Sequence, residues 1–282
     1  MKKGLLLLAA VFITVFSFAQ DAADKLNQAN EALTAQDYAK AYQLYDEAMN
    51  NIGDVQVDAS INFNIGFAAF KSDNLAGAVK YFDKAIEAGT NISKSHEYKA
   101  LAYNDKKDYA NAVNSYQQAI STATEGIDAL NFNAGIAAYR GKMNEEAVGF
   151  FGKAYELGYK SESSIYYKAV ALKGLDKDTE YKAALEEGIA KFPGDDKISK
   201  ALAAVYVSEG NELYKDGAAI ISAANEKVNA GTLKTDDAAY TAQVEKAKVE
   251  FKAAIEILEK AKVLDAANKN VQTLLDACKA VM

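Results

Sequence analysis

Proline, tryptophan, cysteine and histidine are scarce in this 282-residue chain, which has one proline, no tryptophan, one cysteine and one histidine. Proline removes a backbone hydrogen-bond donor and clashes inside a helix, so its near absence favours long uninterrupted helices. Alanine, leucine, lysine and glutamate, which are good helix formers, are abundant. We therefore predict an all-α protein.

The shortage of imidazole and thiol groups narrows the chemistry that we expect. Metal sites built from two or more imidazoles are excluded, and we expect His96 to be a surface or inter-repeat residue rather than a catalytic one. Cys278 has no partner for an internal disulfide; we expect it to be a small buried hydrophobe, with pairing between chains as the alternative. The sequence also has no glycine-rich phosphate loop after a strand, because it contains no convincing strand. The sequence predicts no cofactor, no metal and no enzyme activity.

Basic segments are also missing from the chain. The 32 lysines and arginines are outnumbered by 39 acidic residues, and the formal net charge is -7. Affinity for nucleic acids comes mainly from basic side chains that neutralise phosphates. We therefore expect no nucleic-acid partner.

The first nineteen residues differ from the rest of the chain. Lys2 and Lys3 precede an apolar run over residues 5–16, and two small residues, Ser17 and Ala19, follow it. This order is typical of a secretory signal peptide, here cleaved after Ala19. A retained anchor is the alternative, but the run is shorter than the ~20 apolar residues that span a bilayer. Cleavage would leave no membrane span and change the net charge from -7 to -9.

The most informative feature of the sequence is a repeated segment. INFNIGFAAFKSDN at residues 61–74 returns as LNFNAGIAAYRGKMN at residues 130–144. Around these copies an alanine, an aromatic residue and a second alanine recur at constant spacing in four places. The four sets are Ala41, Tyr45 and Ala48; Ala78, Phe82 and Ala85; Ala112, Tyr116 and Ala119; and Ala147, Phe151 and Ala154.

Another small residue stands twelve positions before the first alanine of each set. These residues are Ala29, Gly66, Ala100 and Gly135. Steps of 37, 34 and 35 residues separate the final alanines of successive sets. The pattern resembles the tetratricopeptide repeat (TPR) family, in which two antiparallel helices form each unit of about 34 residues. The resemblance is close over residues 22–193, although every unit lacks the tryptophan of the fullest family pattern.

The resemblance implies a right-handed α-solenoid of about six TPR-like helical hairpins, with an elongated last hairpin and a C-terminal capping helix. We divide the chain into a signal peptide (1–19), TPR-like repeats 1 to 5 (20–195) and the elongated sixth hairpin with its cap (196–282). In the long hairpin, each glycine inside a helix costs about 1 kcal/mol relative to alanine. We interpret Gly210 and Gly217 as close-packing points, with a helix break near Gly210 as the alternative.

In the family, the first helix of each hairpin lines a concave groove that binds extended or helical segments of partner proteins. Mapping that geometry onto this sequence gives candidate partner-binding residues. They are Phe63, Asn64, Phe67, Phe70, Lys71, Phe132, Asn133, Ile136, Tyr139, Arg140 and Tyr166. Packing between neighbouring hairpins is the alternative for the aromatic side chains, above all for Phe63 and Phe132.

Some relatives clamp the C-terminal carboxylate of a partner with five polar groups. Asn30, Asn64 and Lys94 occupy places similar to three of these groups. Leu26 and Tyr98 replace the other two, which are cationic in that pattern. Because charge-assisted contacts supply most of such recognition, we expect the asparagines to bond to neighbouring backbone instead.

The resemblance and the export signal together predict a non-catalytic TPR scaffold of the bacterial envelope that binds a protein or peptide partner through its concave groove. The signal is similar to those of Bacteroidetes, which favours a periplasmic protein, in an envelope complex, over a secreted one. The alternative is a carbohydrate or small-solute binding protein related to outer-membrane nutrient uptake, because the 17 tyrosines can stack on sugars.

Overall fold

A computed structural model of the chain describes residues 20–53 and 56–282, and every regular element in those residues is a helix. The signal peptide predicted at residues 1–19 lies outside the described residues. The first described helix, α1, covers residues 20–34. The others are α2 (Tyr38–Asn50), α3 (Ile61–Lys71), α4 (Leu75–Glu87), α5 (Ile92–Asp105), α6 (Tyr109–Thr122), α7 (Ile127–Arg140), α8 (Asn144–Glu156), α9 (Ser161–Lys173), α10 (Asp178–Lys191), α11 (Asp196–Asn229), α12 (Ala238–Leu264) and α13 (Lys269–Ala280).

Short turns join these helices into hairpins. In the first three hairpins, the second helix begins after a residue whose side chain accepts a hydrogen bond from a backbone N–H three positions later; these residues are Asp37, Asn74 and Asp108. Such caps satisfy amides that have no partner in the first turn of a helix. A residue with positive φ precedes each cap, so the chain reverses within a few residues.

A small residue of the first helix lies against an aromatic ring of the second helix. A Cβ atom added to Gly66 would lie 2.7 Å from the Phe82 ring, and one added to Gly135 would lie 2.8 Å from the Phe151 ring. Both rings are fully buried. The repeated segment therefore recurs because each copy needs a residue without a side chain where a ring of the paired helix packs.

Contacts between helices divide the chain after Tyr159 into two units. In the first unit, the second helix of each hairpin packs against the first helix of the next, as α2 does on α3, α4 on α5 and α6 on α7. One core cluster joins Leu26 of α1, Tyr45 of α2, Ile65 of α3 and Tyr81 of α4. Each apolar hairpin face is thus covered by its neighbour, as a stack of TPR-like units requires.

The second unit contains the hairpin α9–α10, the hairpin α11–α12 and the last helix, α13. The predicted elongation is confirmed, since α11 has 34 residues and α12 has 27. α11 continues through Gly210 and Gly217, so the alternative of a break near Gly210 is wrong. A Cβ on Gly210 would lie 2.6 Å from Leu258, and one on Gly217 would lie 2.7 Å from Phe251, which makes both glycines close-packing points.

The predicted capping helix is also confirmed, because α13 packs on both helices of the elongated hairpin. It buries Val271, Leu275 and Cys278. Burial raises the pKa of the Cys278 thiol, in keeping with the small buried hydrophobe predicted for this position. The grouping of residues 20–195 as one array and 196–282 as its terminal part remains a prediction.

Alanine substitutions at two helical glycines test the contact between small residue and ring. Both Gly135→Ala in α7 and Gly149→Ala in α8 gain about 1 kcal/mol of helix propensity. Only Gly135→Ala places a Cβ against a buried ring, since nothing lies within 4 Å of a Cβ on Gly149. We expect the free energy of unfolding of Gly135→Ala to be about 1 to 3 kcal/mol below that of Gly149→Ala in urea denaturation. Equal stabilities would show that the ring moves aside without cost.

Candidate partner-binding surface

The first helices of the hairpins in the first unit border two open cavities. One, of about 420 Å³, lies between α1, the segment 56–60 and α3. The other, of about 190 Å³, lies between α5, the segment 122–126 and α7. We call the exposed and half-buried side chains of α1, α3, α5 and α7 the first-helix surface.

The three phenylalanines predicted on α3 surround one tyrosine of α5. The ring centroid of Tyr98 lies 5.9 Å from that of Phe63 and 5.3 Å from that of Phe67. It lies 5.6 Å from that of Phe70, and the ring stacks on Phe82 with planes 19° apart. Such aromatic pairs contribute about 0.5 to 1.5 kcal/mol beyond their burial. Since the three phenylalanines are half-buried, the structure places them at the junction of the second and third hairpins.

The second copy of the motif, on α7, has a different distribution of exposure. Phe132 is only 7% exposed and packs edge-on against Phe151, with ring centroids 5.7 Å apart. Ile136 is half-buried. Tyr139 is 37% exposed and Arg140 is exposed, so the end of α7 carries an exposed aromatic ring and an exposed cation at consecutive positions.

Three asparagines share one position of the repeat on the first-helix surface. Asn64 and Asn133, both predicted, are half-buried, and Asn27, which was not predicted, is exposed. Each stands two positions before the small residue of its repeat, so the sequence contained the signal for Asn27. One turn beyond Asn27, the Asn30 Oδ1 atom accepts a hydrogen bond from the Tyr45 hydroxyl at 2.5 Å. Burial raises the pKa of Tyr45 to about 12.

The places that resemble a carboxylate clamp hold little positive charge. Leu26 is buried, with 7% exposure, and Tyr98 belongs to the aromatic cluster described above. The Nζ atom of Lys94 lies 2.8 Å from Glu97 Oε2, and this hydrogen bond raises the pKa of Lys94. A partner carboxylate at this place would therefore meet one lysine that a neighbouring carboxylate already neutralises.

The two remaining predicted residues lie in different surroundings. Lys71 is exposed, with its Nζ atom 5.6 Å from the centroid of the Phe67 ring. Tyr166 belongs to the second unit, where its ring centroid lies 5.5 Å from that of Tyr167 and Lys197 approaches its face. The structure thus brings the three phenylalanines of α3 together around Tyr98, whereas Tyr166 belongs to the second unit.

Hydrogen bonds and ion pairs hold successive hairpins together and so position the first helices. The Tyr81 hydroxyl donates to Asp46 Oδ1 at 2.7 Å, and the Lys80 Nζ atom lies 3.4 Å from the same oxygen. The hydrogen bond from Tyr81 is the main cause that lowers the pKa of Asp46, and Lys80 contributes in the same direction. An ion pair between Lys99 and Asp83 joins α5 to α4 in the same way.

His96 lies half-buried on α5, and burial lowers the pKa of its imidazole with a further contribution from Lys99. Over residues 20–53 and 56–282, no group of three or more His, Cys, Asp or Glu side chains could hold a metal ion. In the same part of the chain, no helix combines the length and apolar character needed to cross a membrane. The expected absence of a cofactor and of catalysis remains a prediction.

No protein-family model matches the chain. The chain is 27% identical over 212 residues to a TPR repeat-containing protein of Methanocaldococcus jannaschii. The aligned region covers 73% of this chain and 32% of that protein. It is 30% identical over 66 residues to an NADPH oxidase activator of Dictyostelium discoideum. Here the aligned region covers 23% of this chain and 11% of that protein. The matches thus span about a third or less of the curated relatives.

Among solved structures, a tetratricopeptide repeat protein from Parabacteroides merdae aligns with this chain at 18% identity and a TM-score of 0.49. The alignment covers 92% of this chain and 99% of that protein's chain. The longer curated match, over 212 residues, is to a TPR repeat-containing protein. The resemblance predicted from the repeat pattern is confirmed.

The joint between the first two hairpins is testable through its dependence on pH. The pKa of Asp46 is depressed below its ordinary 3.8 in the folded state, so its stabilisation is present above that value and lost as pH falls through the folded pKa. Near pH 7 we expect Tyr81→Phe to lower the free energy of unfolding by about 1.5 kcal/mol. The loss should shrink as pH falls below 3.8 and Asp46 takes up a proton.

Tyr45→Phe is the matched control. The hydroxyl of Tyr45, which this variant lacks, donates a hydrogen bond to the neutral side-chain amide of Asn30. The loss in free energy of unfolding caused by Tyr45→Phe should therefore stay constant over the same pH range. Thermal denaturation at a series of pH values measures both losses. A cost of Tyr81→Phe that is equally independent of pH would contradict the assigned role of Asp46.

Proposed function

We propose that this chain is a non-catalytic TPR-like scaffold of the bacterial envelope that binds protein or peptide segments on the first-helix surface. One observation carries the proposal. The first helices bury most of their apolar side chains against neighbouring helices, while Asn27, Asn30 and Asn64 line the larger open cavity. Tyr139 and Arg140 stay accessible at the end of α7. Accessible aromatic and arginine side chains are the usual anchors of protein interfaces.

The charge and the aromatic packing favour a protein partner over the other classes. A formal net charge of -9 after signal removal opposes binding to phosphate backbones. Sugar binding needs tyrosine rings with a free face. Tyr45, Tyr81 and Tyr116 are buried, and four phenylalanine rings surround Tyr98. The carbohydrate alternative is therefore not favoured.

Peptide selection tests the proposed binding surface. Residues 20–282 are immobilised and challenged with a phage library of random dodecapeptides, and enriched peptides are measured by fluorescence anisotropy. We expect Tyr139→Ala and Arg140→Ala each to raise the Kd by about tenfold, because truncation of an interface anchor costs about 1.4 kcal/mol or more. Asn114→Ala, an exposed position on the second helix of its hairpin, is the control and should leave the Kd unchanged. Failure to enrich any peptide would contradict the proposal.

The envelope location is a separate part of the proposal and rests on the pattern of residues 1–19. Expressed from its first methionine in a Gram-negative host, the protein should appear in the periplasmic fraction with an intact mass that begins at Gln20. Ala19→Arg removes the small residue at the cleavage position and should leave the segment attached. A wild-type product that keeps residues 1–19 would contradict the cleavage site.

A further inference from the structure

A cavity of about 620 Å³ lies in the second unit, where the end of α9 and the start of α10 face α11. Pockets that bind small ligands have volumes of about 300 to 1,000 Å³. Because α10 has 14 residues and α11 has 34, α11 continues past the start of α10 and forms one wall of the cavity. The residues that line the cavity lie between positions 173 and 209, outside the first-helix surface.

The lining of this cavity combines an apolar part with charges of both signs. The apolar part consists of Tyr181, Ala204 and Val205. The polar part has two cations, two carboxylates and two hydroxyl groups, from Lys173, Lys182, Asp178, Glu209, Thr179 and Ser208. The formal charge of the lining is therefore zero.

One cation and one carboxylate of the cavity are used by the fold. The Lys182 Nζ atom lies 2.8 Å from each carboxylate oxygen of Glu209, and this ion pair joins α10 to α11. The same Nζ atom lies 5.3 Å from the centroid of the Tyr206 ring. Lys182 and Glu209 thus neutralise each other and hold the two walls of the cavity together.

The other cation and carboxylate are free to meet a ligand. Lys173 and Asp178 are exposed, and in the described part of the chain neither side chain forms an ion pair or a hydrogen bond. The Lys173 Nζ atom lies 5.1 Å from the centroid of the Tyr181 ring. Burial is the main cause that raises the pKa of Tyr181, and Tyr166 and the Asp178 carboxylate add to it. A free cation and a free carboxylate therefore lie near the same buried ring.

We propose that this cavity binds a small zwitterion, a free amino acid or a dipeptide, with its carboxylate at Lys173 and its ammonium group at Asp178. Hydrogen bonds between charged groups are stronger than those between neutral ones. The hydroxyl groups of Thr179 and Ser208 can each donate and accept a further hydrogen bond. Tyr181 offers an apolar surface to the side chain of the ligand.

The balance of charge disfavours other classes of ligand. A phosphate would meet the Asp178 carboxylate as well as Lys173, and a simple cation would meet Lys173 as well as Asp178, so each would face a like charge. A residue inside a polypeptide has neither a free ammonium group nor a free carboxylate. The cavity therefore selects a free amino acid or dipeptide over a segment of a partner protein, and the inference does not depend on the proposed function.

The first test varies the ligand on the wild-type protein. Residues 20–282 are screened by thermal denaturation against the standard free amino acids and the dipeptide leucyl-leucine, each at up to about 10 mM, a range that detects millimolar Kd values. The compound that raises the midpoint most is titrated by calorimetry. We expect its N-acetyl form and its C-terminal amide each to have a Kd about tenfold higher, because each lacks one charge-assisted hydrogen bond.

The second test assigns the two charges of the ligand to the two residues. Lys173→Gln should raise the Kd of the free compound by about tenfold and leave that of the amide, which has no carboxylate, unchanged. Asp178→Asn should raise the Kd of the free compound equally and leave that of the N-acetyl form unchanged. Lys252→Gln and Asp236→Asn, at exposed positions outside the cavity, are the controls and should have no effect.

Three outcomes would overturn the inference. The first is that no amino acid and no dipeptide shifts the midpoint of unfolding. The second is a Kd that neither blocking group changes, and the third is tighter binding of inorganic phosphate or glucose than of any zwitterion. Each would leave peptide binding on the first-helix surface standing, since different residues carry it. The blocked compounds are measured on the wild-type protein, so they decide the matter even if a variant folds poorly.

Discussion

The structure depends on one contact, in which an aromatic ring from the second helix of a hairpin packs where the first helix has almost no side chain. Gly66 with Phe82 and Gly135 with Phe151 are its clearest cases, since an added Cβ would lie within 2.8 Å of the ring. Close approach of the two backbones lets a single ring fill the hairpin interior, and it makes the interface intolerant of added volume. The same contact between a glycine and a ring, here Gly217 and Phe251, packs the two helices of the elongated hairpin together.

This contact decides where the first-helix surface lies. Small residues turn one side of each first helix towards its own partner, and neighbouring hairpins cover the apolar sides that remain. Helix geometry brings residues three and four apart onto one face. The face of each first helix that no other helix covers therefore carries the asparagine amides and a few other exposed side chains. Joints such as the one between Tyr81 and Asp46 hold the hairpins in register, so the spacing of the amides is a property of the stack.

Much of this architecture was predictable from residue spacing. The four sets of alanine, aromatic and alanine predicted the hairpins, and Gly210 and Gly217 were rightly interpreted as packing points within one continuous helix. Parts of the surface were less predictable. The sequence pattern indicates Tyr98 only as a replacement for a cation, whereas in the structure it is the centre of an aromatic cluster. Asn27 has the same offset from Ala29 as Asn64 has from Gly66, but a single exposed amide has no apolar periodicity that would mark it in the sequence.

The amino-acid sequence by itself determined the helical class, the repeat period and the elongation of the last hairpin, because these follow from local spacing of small, aromatic and turn residues. Only the tertiary structure decided which copy of the repeated segment is covered. The phenylalanines of α3 are half-buried because Tyr98 reaches them from another hairpin, while Tyr139 at the end of α7 stays 37% exposed. The exposure of a side chain depends on what a distant part of the chain places against it, and spacing within one helix does not contain that information.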